Sequence, residues 1–68
     1  MASDFSKNLR ILRKELNLSQ EEVAEKISLT RRQVSFLETG TYEPDLKTLI
    51  AIAKFFAVST DYLLGLED

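Results

Sequence analysis

Two adjacent arginines, Arg31 and Arg32, open the run Arg-Arg-Gln-Val-Ser-Phe-Leu-Glu-Thr at residues 31–39, and their side chains are the best suited in this chain to recognition chemistry. A guanidinium is a rigid fork of donors, so it pairs with two acceptors at once, such as guanine O6 and N7 or two phosphate oxygens. If Val34 and Leu37 mark the buried direction, stepping about 100° per residue puts Arg32 almost diametrically outside. Ser35 and Phe36 flank it, Arg31 lies at the edge near the helix start, and Gln33 occupies the other margin. A ring at Phe36 suits a thymine methyl. An exposed Phe beside two cations offers a lone monomer nothing, which points toward a partner. Yet neighbouring arginines on an arbitrary helix read first as solvated charge, and single exposed apolar residues are common. The pattern alone leaves both readings open.

Other polar groups could support an anionic partner. Ser19 and Gln20 stand at a helix start, where free backbone N–H groups and the positive helix end favour an anion; simple capping explains Ser19 equally well. Lys7, Arg10 and Lys14 form a ridge opposite an apolar stripe, the ordinary look of a soluble helix, with peripheral phosphate attraction the second reading, chiefly for Arg10. Thr39, Thr41 and Tyr42 could position a nucleic-acid backbone through their hydroxyls without reading sequence. Glu43 and Asp45 repel phosphate, so their loop is expected to skirt it.

The composition closes several classes. The 68 residues contain no Cys and no His, which removes disulfides, thiolate metal sites, the commonest general base and the commonest metal ligand. Most carboxylates fall at helix starts or on solvated faces, and no glycine-rich loop is present to cradle phosphate, so no enzyme, cofactor or metal site is expected. No apolar run reaches the roughly 18 residues of a membrane span, and the N-terminus lacks a signal-peptide layout. A cytoplasmic protein with no membrane partner is expected. The net charge of −2 runs against a nucleic-acid partner, although salt screens charges beyond about 8–10 Å, so the local distribution of cations matters more than the sum.

The groups above must be positioned by helices. A first helix is predicted from about Phe5 to Leu16, with Phe5, Leu9, Leu12 and Leu16 on one stripe and Asn17 as a left-handed stop. Ser19-Gln20-Glu21-Glu22 is a capping box that starts a second, with Val23, Ala24 and Ile27 inward. After only Ser28-Leu29, Thr30-Arg31-Arg32-Gln33 repeats the device and starts a third, ended by Gly40. So short a joint calls for a steep crossing. Asp45 caps a fourth helix to about Phe56, its stripe Leu46, Leu49, Ile52, Ala53 and Phe56; Ser59 caps a short fifth that Gly65 ends. The fold class is all-α, in a single domain over residues 1–68.

As a set, Leu9-Arg10-Ile11-Leu12-Arg13, Leu18-Ser19-Gln20-Glu21-Glu22-Val23-Ala24, Thr30, Val34-Ser35-Phe36-Leu37-Glu38-Thr39-Gly40, Pro44 and the Ser-Thr-Asp-Tyr-Leu-Leu-Gly tail at residues 59–65 resemble the Xre/Cro–repressor family of helix-turn-helix regulators. The resemblance covers about residues 5–65 and implies a five-helix, lambda-repressor-like bundle. It also implies a bacterial or phage transcriptional regulator, usually a homodimer on a near-palindromic operator of double-stranded DNA. By the same resemblance, Gln20 bonds phosphate and braces a base-reading side chain, and Arg13 and Glu38 pair between the first and third helices, with Arg13 also facing a phosphate. The resemblance turns Arg31 and Arg32 from surface charges into base readers. One departure is Ser28, where the family places glycine; a positive φ there costs on the order of 1 kcal/mol.

The last two helices carry more apolar residues than one stripe needs. Ala51 and Phe55 lie one turn apart and, with Ile50, Val58 or Leu66, are expected to form a self-association patch. The competing reading folds Phe55 back over a thinly covered core. For function, the rival to a DNA-binding repressor is a protein-interaction module of the same fold, of antitoxin or anti-repressor type, and the acidic net charge is its support.

Overall fold

Most helix starts are set by a side chain one residue ahead of the helix. The Ser19 hydroxyl accepts the Glu22 N–H at 3.0 Å while the Glu22 carboxylate accepts the Ser19 N–H at 2.8 Å. Thr30 and Gln33 repeat this exchange at 3.1 and 2.8 Å. Asp45 accepts from Thr48 N–H at 2.8 Å and Ser59 from Tyr62 N–H at 2.9 Å. Each bond satisfies a donor that the helix cannot. The computed structural model describes residues 4–66; positions 1–3 and 67–68 of the expected domain lie outside the described residues. The resulting elements are α1 (Phe5–Glu15), α2 (Gln20–Lys26), α3 (Arg31–Thr39), α4 (Leu46–Phe56) and α5 (Thr60–Leu64), with no strand among the described residues.

The joints depend on left-handed backbone. Gly40 (φ 79°) and Gly65 (φ 76°) end α3 and α5, and Asn17 (φ 56°) and Ser28 (φ 61°) turn the chain after α1 and α2. The expectation that Ser28 takes the strained conformation holds. Ala57 (φ 56°) ends α4 in the same region, which nothing in the sequence announces. At Gly65 there is no room for a side chain: an added Cβ would lie 2.6 Å from an Asp4 carboxylate oxygen.

The core is one cluster in which Leu9, Ile52, Leu63, Val23 and Val34 are fully buried, with Phe5, Ala24, Leu37, Leu49, Ala53 and Phe56 around them. It draws on all five helices. α3 packs on both α1 and α2, and α5 packs on α1 and α4. Asn8 on α1 donates through Nδ2 to the carbonyls of Tyr62 and Leu63, both at 3.1 Å, and so fastens the last helix to the first.

Two stripe residues do not reach this core. Leu16 is 56% exposed because α1 ends at Glu15 and the chain is already turning toward Asn17. Leu46 is 77% exposed because it is the first residue of α4, whose buried face begins only at Leu49.

Candidate nucleic-acid interface

α3 is seated by Val34, Leu37 and Glu38, which are buried, so its other face turns outward. Arg31, Arg32 and Gln33 are exposed at its N-terminal end, and Ser35 and Phe36 are half-buried beside them. Gln33 is partly committed: its Oε1 holds the Thr30 N–H in the capping box, while no hydrogen bond from the described residues engages its amide N–H₂. Phe36, expected as a fully exposed ring beside the two arginines, is half-buried and already in contact within the chain. The Arg32 guanidinium lies 5.5 Å from its ring centroid, and the Tyr42 ring meets it edge-on at 5.0 Å and 79°. Both geometries suit the negative face and positive edge of an aromatic ring.

Tyr42 reaches Phe36 because the loop after α3 is wound onto one carbonyl. The Phe36 oxygen accepts the Gly40 N–H, the Thr41 N–H at 2.9 Å, the Tyr42 N–H at 3.3 Å and the Thr39 hydroxyl at 3.2 Å. Thr39 and Thr41 also share a hydroxyl–hydroxyl bond of 2.8 Å and both are exposed. Sequence reading missed this aromatic contact. Its available signal is Gly40, whose left-handed turn sends the chain back over the last helical turn.

Behind α3 lies a buried polar hub. Arg13 donates from Nε to Glu38 Oε2 at 2.6 Å and from Nη2 to Oε1 at 2.9 Å, a bidentate fork, and from Nη1 to the Leu18 carbonyl at 2.8 Å. The two side chains are 12% and 3% exposed. The Glu38 hydrogen bonds hold the Arg13 guanidinium above its already high ordinary pKa, with the opposite charge adding to them and burial opposing. Gln20 Nε2 joins at 3.2 Å on Glu38 Oε1, so the carboxylate ties α1, α2 and α3 together. The pairing implied by resemblance is therefore present. All three guanidinium nitrogens of Arg13 point inward to partners, which makes it a brace first. Gln20 braces the hub through one Nε2 hydrogen, which leaves the other to donate.

At the start of α2, the Ser19 hydroxyl accepts the Glu22 N–H in the cap. Bonds from the Ser19 N–H and then its hydroxyl hold the Glu22 carboxyl below the usual carboxylate range. Bonds from the Thr48 side chain and backbone N–H do the same for Asp45. Both carboxylates are thus negative at neutral pH. Arg10 is exposed on α1, as are Lys7 and Lys14.

The expected association patch is divided. Ala51, Phe55 and Val58 are half-buried, Phe55 and Val58 packing on the core and Phe55 also edge-on to Phe56 at 4.9 Å. Phe55 therefore does fold back in part over the core. Ile50 and Leu66 are the more open members, at 46% and 71% exposure. Among the described residues no His, Cys, Asp or Glu cluster is placed to hold a metal ion, and no helix is long and apolar enough to cross a membrane.

Residues 9–63 match the helix-turn-helix family. The chain is similar to YqaE, an uncharacterized HTH-type transcriptional regulator of Bacillus subtilis, with 47% identity over 64 residues, 94% of this chain and 55% of that protein. It is similar to RstR, the transcriptional repressor of the cryptic phage CTXphi from Vibrio cholerae, with 43% identity over 54 residues, 79% of this chain and 49% of the repressor. Among solved structures, the P22 c2 repressor in complex with a synthetic operator matches with a TM-score of 0.87 at 27% identity, covering 93% of this chain and 96% of that one. The chain thus spans about half the length of these two curated relatives.

Proposed function

Since the chain belongs to the helix-turn-helix family, we propose that it is a sequence-specific regulator of transcription, a repressor, that lays α3 in the major groove of double-stranded DNA. The observation that carries this reading is the two-sidedness of α3: Val34, Leu37 and Glu38 hold one side while Arg31, Arg32 and Gln33 are exposed at its N-terminal end. That end of a recognition helix is the part that reaches base edges. In this reading Arg31 and Arg32 pair with guanine, Ser35 and Gln33 offer hydroxyl and amide groups, and the exposed part of the Phe36 ring meets a thymine methyl. The second Nε2 hydrogen of Gln20, Ser19, Arg10, Thr39 and Thr41 face the phosphate backbone, Gln20 and Ser19 near the start of α2. Arg13 contributes there through the N–H groups that its pairing leaves over. The protein acts in the cytoplasm, where bacterial DNA lies, without a cofactor, metal or catalytic step.

The operator-bound P22 relative supports the DNA reading, and the size of the fold supports a homodimer. The body measures 29 × 23 × 21 Å. Two copies side by side, meeting through Ala51, Phe55 and Val58 with Ile50, can therefore present α3 at the roughly 34 Å that separates successive major grooves. Phe55→Lys, still folded, would then sediment as a lighter species than the parent.

The deciding experiment is Arg32→Ala, measured on a duplex selected from a random pool and on a scrambled one. It should lose about 1–3 kcal/mol on the selected duplex and little on the other. Equal losses would reduce Arg32 to a phosphate contact. The net charge of −2 favours a second reading, a protein-binding module. Absence of any salt-dependent DNA affinity would select it.

A further inference from the structure

We propose that Tyr42, in the loop outside the recognition helix, is a specificity-determining positioning residue that holds Arg32 in its base-reading pose through Phe36. The inference rests on the DNA reading above. An arginine at the first turn of a helix has many rotamers, and fixing one on binding costs entropy unless it is already fixed. Here the guanidinium rests over the Phe36 ring at 5.5 Å. That platform is useful only if the ring is itself held. Phe36 is half-buried, and Tyr42 closes on it edge-on at 5.0 Å. Tyr42 in turn is not a loose loop residue, because its N–H and that of Thr41 are bonded to the Phe36 carbonyl at 3.3 and 2.9 Å. The chain of contacts runs from a rigid loop to a ring, and from the ring to a cation at the reading edge.

Two consequences separate this role from a backbone contact. The ring of Tyr42 matters and its hydroxyl does not, so Tyr42→Phe is silent. The effect travels chiefly through Arg32, so most of it disappears when Arg32 is gone. Tyr42 is 57% exposed and outside the core, so its replacement leaves the fold intact.

The experiment compares parent, Tyr42→Ala, Tyr42→Leu, Tyr42→Phe, Arg32→Ala and the Arg32→Ala/Tyr42→Ala double variant by fluorescence anisotropy on selected and scrambled duplexes. Tyr42→Ala and Tyr42→Leu should each weaken the selected duplex about three- to tenfold, the range expected for one ring–ring and one cation–ring contact. Their affinity for the scrambled duplex should stay within about twofold of the parent, and Tyr42→Phe should match the parent on both. In the Arg32→Ala background, Tyr42→Ala should add no more than about twofold, the share that passes through Phe36 alone. The proposal is overturned if Tyr42→Phe loses as much as Tyr42→Ala, since the hydroxyl would then be a phosphate contact. Equal losses on both duplexes, or a full Tyr42 effect without Arg32, overturn it as well. A parent that binds no DNA sinks the functional reading and this inference together; a parent that binds while Tyr42→Ala is silent sinks the inference alone.

Discussion

Replacing Glu38 by alanine should come close to unfolding the domain. The carboxylate is 3% exposed and accepts three bonds, from Arg13 Nε and Nη2 and from Gln20 Nε2. Its loss leaves a guanidinium that is 12% exposed holding only the Leu18 carbonyl. Stranding a buried charge in this way costs about 3–5 kcal/mol. A domain of this length has in all about 3–10 kcal/mol. Glu38→Ala should therefore lose about half of the total stability or more, read as a fall in the urea midpoint at unchanged slope by far-UV circular dichroism. Glu38→Gln, which keeps one acceptor oxygen but not the charge, should fall between alanine and parent. The double variant Arg13→Met/Glu38→Leu should recover to within about 1 kcal/mol of the parent, because a packed apolar pair carries no desolvation cost. A single alanine variant within about 1 kcal/mol of the parent, or a double variant no better than the single, would refute the account of the hub as a paired charge.

The backbone makes further predictions. Ser28→Gly and Ala57→Gly should each raise stability by about 1 kcal/mol, since both positions have φ near 60°, while Asn17→Gly should gain less because Asn tolerates that region. Thermal melts would show the order. Gly65→Ala should lose about 1–2 kcal/mol by the same measurement, from a strained φ and the crowding of Asp4. Glu22 and Asp45 both have folded-state pKa values below the ordinary 4.5 and 3.8. Their stabilisation is complete above those ordinary values and is lost as the pH falls through the depressed ones. The urea midpoint should therefore decline on acidification below pH 4.5, and the Glu22 share of that decline should be missing in Glu22→Gln.

The sequence is most legible where the physics is local. Ser19, Thr30, Asp45 and Ser59 each bond a backbone N–H three residues on, so residue type and spacing reveal four of the five helix starts. Periodicity finds the buried faces but runs too far at both ends, taking in Leu16 and Leu46, because it carries no knowledge of where neighbouring helices stop covering a stripe. Charge misleads in a different way. Glu38 stands one residue past Leu37, at the edge of the inward face, but only the family resemblance pairs it with Arg13 from 25 positions away. Ala57 gives no warning of its left-handed backbone, since alanine is an ordinary helix residue. At the candidate site the outward set Arg31, Arg32 and Gln33 was legible from rotation about the helix. The link from Tyr42 to Phe36 was not, as it depends on how the loop folds back.

The clasp between Asn8 and the carbonyls of Tyr62 and Leu63 bears on how the molecule breathes. A five-residue helix ordinarily frays, and its amides trade deuterium almost freely. Here Leu63 is wholly enclosed beside Leu9 and Ile52, and the clasp sits on the opposite element of the chain. Opening α5 alone would strip both at once. Its protected amides should therefore exchange in step with those of α1, only when the whole domain opens.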